Sequence, residues 1–252
     1  MKTRLSTVCA FVAFSMGLPG GQGTAHATGI FVAATQSGNY AADGIGNINS
    51  LGFQNYFVGY SSPSAIAERR NFFIFSTAAF EAETILSGEL ILYVPKFAPG
   101  VTTDPGDGYF SPDASETYML TSTSFTAAEV GDHTNSIAES MAIWASLGMG
   151  GLAGAIEIHP SDKGTYIHIP LTAAAIAGLN GAGPAPVVMG GRLTSLDPTR
   201  PMVLDELVFS FTDMPGSGTF IPPTLHLEIV PAPASGFVLM AGVVAGRRRR
   251  VG

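Results

Sequence analysis

Apolar and polar positions alternate over short runs through most of this 252-residue chain, and a period of two predicts strands rather than helices. The runs are NFFIFS (71–76), GELILYV (88–94), ETYMLTSTS (116–124), LAGAIEIH (152–159), GTYIHIPL (164–171), PVVMGGRL (186–193), LDELVFSF (204–211) and TLHLEIV (224–230). Each is rich in β-branched or aromatic residues, which fit a pleated, half-buried surface. Between them lie turn clusters such as Asp104-Pro105-Gly106-Asp107-Gly108, Ser161-Asp162-Lys163-Gly164 and Met214-Pro215-Gly216. Short strands with frequent turns predict an all-β domain, an antiparallel sandwich or barrel.

Two stretches depart from this period. Thr172–Asn180, TAAAIAGLN, offers a capping threonine, an Ala-rich interior and Gly178 and Asn180 as stops, which predicts a two-turn helix over one end of the sheets. Ser136–Leu147 places Ile137, Met141, Trp144 and Leu147 at helical spacing, yet its AIW could equally open a strand.

The ends differ from the middle. Residues 1–27 show Lys2 and Arg4, an apolar stretch from Val8 to Leu18 and a small-residue ending, Ala25-His26-Ala27. That is the form of a secretory signal peptide, with Ala25 and Ala27 at the positions a signal peptidase reads and cleavage expected after Ala27. Cys9, the one cysteine, falls inside it, so disulfides and thiol chemistry are not expected in residues 28–252. The residues before Cys9, Ser6-Thr7-Val8, lack the pattern of a lipidation site. At the other end, Ala234–Gly246 is apolar or small but for Ser235, and Arg247, Arg248, Arg249 and Arg250 follow. Thirteen helical residues span about 20 Å, short of a bilayer core of about 30 Å unless flanking residues extend them. Arginines immediately after such a run hold that side in the cytoplasm.

Six of the twelve Lys and Arg residues sit in these two ends and all nineteen acids between them, so residues 28–230 carry a formal charge of −13. Such a charge opposes phosphate backbones and anionic headgroups, which excludes nucleic acid as an expected partner.

The C-terminal arrangement Val230-Pro231-Ala232-Pro233, apolar segment and Arg247–Arg250 resembles the PEP-CTERM sorting signal of exopolysaccharide-producing Gram-negative bacteria. Ala232 stands where that family usually has Glu. The resemblance implies sorting by an exosortase-like membrane enzyme that cuts near the proline motif, transient residence in the inner membrane, and a final address at the cell surface or extracellular matrix. A plain membrane anchor is the alternative. A second resemblance rests on Glu68-Arg69-Arg70-Asn71-Phe72-Phe73-Ile74-Phe75, the strand ending Leu92-Tyr93, Gly108–Tyr118 (GYFSPDASETY) and Met189–Leu193 (MGGRL). These blocks resemble an uncharacterised group of secreted PEP-CTERM proteins over residues 55–230. The likeness implies a jelly-roll-like antiparallel β-sandwich similar to carbohydrate-binding modules, and no known activity.

Candidate chemistry is sparse. Asp104, Asp107, Asp113 and Glu116 space oxygen ligands three to six residues apart around a Gly-containing loop, which suits Ca²⁺; a solvated acidic loop is the plainer reading. His159 and His168 flank an expected turn with Asp162 near, a pair better read as surface histidines of a hairpin than as metal ligands. Glycoside hydrolysis requires two facing carboxylates. Glu81 with Glu83 is one candidate, whereas adjacent Asp205 and Glu206 would point to opposite faces of a strand. Neither HExxH nor Gly-x-Ser-x-Gly occurs. Arg69 and Arg70 are expected in ion pairs at the sheet edge, with Glu116 a candidate partner. Tyr56, Tyr60, Tyr93, Tyr109, Tyr118 and Trp144 are core aromatics first and sugar-stacking rings second.

The sequence thus predicts a signal peptide (1–27), a secreted β-sandwich domain with one or two short helices (28–229) and a C-terminal sorting or anchor segment with a hydrophobic helix (230–252). The expected function is that of a non-enzymatic structural protein associated with extracellular polysaccharide. A carbohydrate-binding module, calcium-stabilised or not, is the alternative, and a polysaccharide-acting enzyme a weaker one.

Overall fold

The computed structural model describes residues 26–45, 55–62, 65–96, 108–197, 206–209 and 222–231. Its strands are β1 (Thr28–Ala33), β2 (Gln36–Ala41), β3 (Val58–Ser62), β4 (Ala65–Phe75), β5 (Glu83–Tyr93), β6 (Tyr109–Phe110), β7 (Glu116–Ser122), β8 (Leu152–Ile158), β9 (Tyr166–Pro170), β10 (Val187–Leu193), β11 (Leu207–Val208) and β12 (Thr224–Pro231). The helices are α1 (Ala127–Gly131), α2 (Ile137–Ser146) and α3 (Ala173–Gly181). All eight runs with strand periodicity contain a strand. β1, β2, β3 and β6 had no such signal.

Every strand pair is antiparallel, in two sheets. The first has the order β1-β12-β5-β9. The second runs β6-β11-β3-β4-β10-β7-β8, with β2 paired to the other edge of β4. The chain passes between sheets within one residue: Ala34 N–H donates to Pro223 O and Thr35 N–H to Ile74 O, both at 2.7 Å. At the opposite side Thr172, just past β9, donates its N–H to Ala153 O and its hydroxyl to Leu152 O, tying the end of β9 to β8.

Alternation explains the core. Leu90 and Leu92 of β5, Ile167 and Ile169 of β9, and Leu225, Leu227 and Ile229 of β12 point inward from the first sheet. They meet Val58, Phe73, Phe75, Tyr118, Leu120, Met189 and Leu193 of the second. Each fully buried aliphatic or aromatic side chain there contributes about 1.5–3 kcal/mol. β4 is apolar on both faces for a further reason. Phe73 and Phe75 enter this core, while Phe72 and Ile74 face a second cluster with Tyr40, Val130, Ile143, Leu147 and Val188 beneath α1 and α2. A strand covered on both sides loses its alternation and reads as a continuous apolar run.

Three α-helices are present among the described residues, not one or two. Thr126 with Glu129 and Ser136 with Glu139 form capping boxes that start α1 and α2, and Thr172 accepts from Ala175 N–H to start α3. The Ser136 box settles the ambiguous 136–147 stretch as helix.

Inside the second sheet a polar chain is fully buried. The Tyr118 hydroxyl donates to Asn71 Oδ1 at 2.9 Å, and Asn71 Nδ2 donates to Tyr56 O at 2.8 Å. Burial pushes the Tyr118 and Tyr56 phenols above their ordinary range. The Tyr118 hydroxyl lies 1.8 Å from where a Cβ on Gly191 would stand, so that position accepts only glycine.

No helix among the described residues is long and apolar enough to cross a membrane. The expected signal peptide through Ala25 and the C-terminal apolar segment with its arginines lie outside the described residues. β1 opens on Thr28, the residue after the expected cleavage point. β12 continues through Val230 and Pro231, which lie opposite Thr84 and Glu83 of β5, so half of the VPAP motif belongs to a paired strand. Ala232 and Pro233 lie outside the described residues.

Candidate functional site

The same alternation that buries one face of the first sheet turns a set of larger side chains outward. Phe31 of β1 stands opposite His226 of β12, which in turn stands opposite Glu89 of β5, with Pro170 of β9 beyond. One row along, Ile91 lies between Thr224 and His168, and Tyr93 lies opposite Tyr166 at the far end. Glu89 and Tyr93 are four residues apart on one strand, about 13 Å.

Phe31 and Tyr166 are 67% and 53% exposed, which is unusual for aromatic side chains on a sheet. The Phe31 and His226 rings are stacked at 4.5 Å with 8° between their planes, and those of Tyr93 and Tyr166 lie 5.2 Å apart at 55°. Between these aromatic ends, one oxygen of Glu89 holds two histidines. His168 Nδ1 approaches Glu89 Oε1 at 3.0 Å and His226 Nδ1 approaches it at 3.1 Å, from the strands on either side. A carboxylate can only accept, so each Nδ1 carries the proton, and a neutral His168 ring then presents Nε2 as an acceptor. His226 Nε2 lies 3.5 Å from Glu228 Oε1. Partial burial alone would raise the Glu89 pKa, but the hydrogen bonds from the two imidazoles outweigh it and hold the carboxyl below the usual range. The result is a ridge of flat apolar rings and fixed polar acceptors.

Other expected sites resolve differently. Glu116 is fully buried and accepts from the Ser111 hydroxyl at 2.5 Å and from the Ser195 hydroxyl. Asp113 is exposed, while Asp104 and Asp107 lie outside the described residues. Among the described residues no group of three His, Cys, Asp or Glu side chains is arranged to hold a metal ion. Glu116 has instead a buried acidic neighbour, Glu206, which accepts from Asp197 N–H at 3.0 Å. Burial, and then repulsion from Glu116 and Asp113 among others, raises the Glu206 carboxyl above its usual range. Asp205 lies outside the described residues. Glu81 sits in the turn before β5 and Glu83 at its first residue.

His159 and His168 are not partners, because β8 and β9 belong to different sheets rather than to one hairpin. His159 Nδ1 lies 3.4 Å from Ala114 O, and His168 belongs to the Glu89 group. Arg70 pairs with Glu68 at 2.7 Å rather than with Glu116. It also lies 3.8 Å over the Trp144 ring and donates to the Trp144 and Ala145 carbonyls at the end of α2. Arg69 donates to Asn39 Oδ1 at 3.0 Å and lies over Phe57. Tyr56, Tyr109 and Tyr118 are core residues, as expected of strand aromatics. Burial, followed by the charge of Glu116, pushes the Tyr109 phenol up to about 12. Tyr93 alone of the six candidate aromatics joins the exposed ridge.

A groove of about 380 Å³ opens between α3 and the ends of β7, β8 and β10, lined by Phe125, Leu152, Ala175, Leu179, Val187 and Met189 among others. Its lining among the described residues holds no ionisable side chain, so it offers shape without acid–base chemistry. The ridge offers both, and its Phe31, Glu89, Tyr166 and His226 are residues that sequence reasoning did not single out. The signal available for them was the outward phase of LHLE, GELILY and YIHIP. No protein-family model matches the chain, and no curated protein matches it.

Proposed function

We propose that this chain is an exported, non-enzymatic protein of the cell surface or extracellular polysaccharide matrix whose jelly-roll-like sandwich binds carbohydrate on the outer face of the four-stranded sheet. The observation that carries the binding reading is the ridge of Phe31, His226, Glu89, His168, Tyr93 and Tyr166. Flat rings stack on the C–H faces of sugars, and fixed acceptors beside them receive sugar hydroxyls. Exposed rings at both ends of one sheet face, with polar groups between them, are what a sugar-binding role would use.

The export and sorting part rests on sequence: the Ala25-His26-Ala27 ending, and the Val230-Pro231-Ala232-Pro233 motif followed by an apolar segment and Arg247–Arg250. In this reading signal peptidase removes residues 1–27, and an exosortase-like enzyme processes the C-terminus from the inner membrane. Calcium through Asp104, Asp107, Asp113 and Glu116 remains an accessory proposal, checked by whether Ca²⁺ raises the melting temperature of metal-free protein.

A glycan array probed with the exported protein tests the binding reading. Binding at millimolar affinity or better, lost in Phe31→Ala and Tyr166→Ala variants that melt like the parent, is the expected result. Absence of binding to any glycan would leave the matrix-structural reading in its place. Mass spectrometry of the exported protein tests the address: a mature chain that begins far from Thr28 or retains residues 234–252 in exosortase-bearing cells would sink the sorting proposal.

A further inference from the structure

We infer that the carbohydrate taken by this ridge carries free amino groups, a hexosamine-type glycan with exposed ammonium groups, rather than a uronate or other acidic polymer. The inference rests on the carbohydrate-binding reading and adds a charge preference to it.

The four strands that build the face, TGIFVA, ETILSGELILY, YIHIP and TLHLEIVP, contain no Lys or Arg. They do contain Glu89 and Glu228, both on the ridge and both beside His226. Glu89 is held ionised by its two imidazole donors, and only Oε1 is used in holding them. Its second oxygen is available to a ligand. Glu228, half-buried with 40% of its side chain exposed, lies beside the same group opposite Gly29, whose lack of a side chain leaves the carboxylate open from the β1 side. Phe31 lies alongside and offers a ring face to a cation. An ammonium group placed here meets two carboxylates and an aromatic ring. A carboxylate or sulfate placed here meets the same two negative charges with no guanidinium or ammonium to offset them. The formal charge of −13 over residues 28–230 deepens that bias at long range.

Two exposed charge pairs and one surface cation–π contact together are worth about tenfold in affinity. Isothermal titration of the exported protein at neutral pH, with glucosamine oligomers, their fully N-acetylated counterparts of equal length and oligouronates, reads the preference directly. The expected result is about tenfold tighter binding of the free amine than of the acetylated oligomer, weakening with added salt, and no detectable binding of the uronate. Glu89→Gln and Glu228→Gln each keep the shape of the face and are expected to lower the ratio of amine to acetylated affinity several-fold, whatever either does to the affinity for both. Equal or tighter binding of the acetylated oligomer, or any uronate binding that exceeds both, overturns the charge preference and leaves the carbohydrate-binding reading standing. Failure of all three to bind, in protein that melts normally, overturns the charge preference, and the carbohydrate-binding reading falls with it only where the glycan array is blank as well.

Discussion

Replacing Asn180 by alanine opens a specific gap in the first sheet. β9 pairs β5 only over Glu89–Tyr93, so beyond that point β5 has no strand on this side. Asn180, in the last turn of α3, fills the place: its Oδ1 accepts from Ile85 N–H at 2.8 Å and its Nδ2 donates to Ile85 O at 3.0 Å. A side-chain amide thus reproduces one residue of strand pairing. Removing it leaves a backbone donor and acceptor without partners beside a buried side chain, at about 1–3 kcal/mol each. Both groups are partly reachable by water, which favours the low end, so the loss expected for Asn180→Ala is about 2 kcal/mol. For a domain of this size that lowers the melting temperature by about 4–8 °C. Asn180→Asp is a sharper probe. Its carboxylate keeps the acceptor but sets a second oxygen against the Ile85 carbonyl, so the variant should be at least as unstable as alanine at neutral pH. Its deficit should narrow as the pH falls and a carboxyl proton restores the donor. Thermal melts of the three proteins across pH decide the matter. An alanine variant within about 0.5 kcal/mol of the parent, in the range of an ordinary surface substitution, would refute the strand-completion argument.

Other expectations follow from the same structure. Gly191→Ala drives a methyl group into the Tyr118 hydroxyl and Asn71 and should cost more than about 2 kcal/mol, whereas Gly178→Ala, with nothing within 4 Å in the interior of α3, should stabilise by about 0.5–1 kcal/mol; paired urea melts check both. Arg70→Lys loses the planar fork that joins Glu68, the Trp144 ring and two α2 carbonyls, and should destabilise by about 2 kcal/mol, seen as earlier protease nicking in the α1–α2 layer. Glu89 has a folded pKa below its unfolded one, so its contribution is present above the unfolded value and lost as the pH falls through the folded one. Glu89→Gln should accordingly lower the melting temperature slightly at neutral pH, where that contribution is present, and flatten its dependence on pH below about pH 5, where the two proteins converge.

What the sequence discloses and conceals follows from where each signal is local. TLHLEIV, GELILY and YIHIP reveal inward leucines and isoleucines and outward His226, Glu89 and His168, because the phase of a strand is written in its neighbours. That these residues meet is a fact about strand order. Glu89 and His226 are 137 residues apart, and nothing local says that β12 inserts between β1 and β5. β2, QSGNYA, escaped detection because it is buried on both faces and one of them is built from Ser37 and Asn39, side chains that report turns elsewhere, although Asn39 here is held by Arg69 and the Asn55 carbonyl. The helix at 137–146 was legible in its capping box, Ser136-Ile137-Ala138-Glu139, more than in its apolar spacing. Similarly, proximity in sequence suggested a hairpin joining His159 to His168, but the chain changes sheet between them.

The position of β12 has a consequence in time. It is a central strand of its sheet, hydrogen-bonded along both edges, and it is also the last strand of the described chain to be made. A chain threading through a pore with its N-terminus leading carries β1 and β5 far ahead of the strand that must lie between them. Until residues 224–231 emerge, Leu90, Leu92 and Val32 lack the Leu225, Leu227 and Ile229 that complete their core. The four-stranded sheet cannot close until residues 224–231 are free to pair with both neighbours.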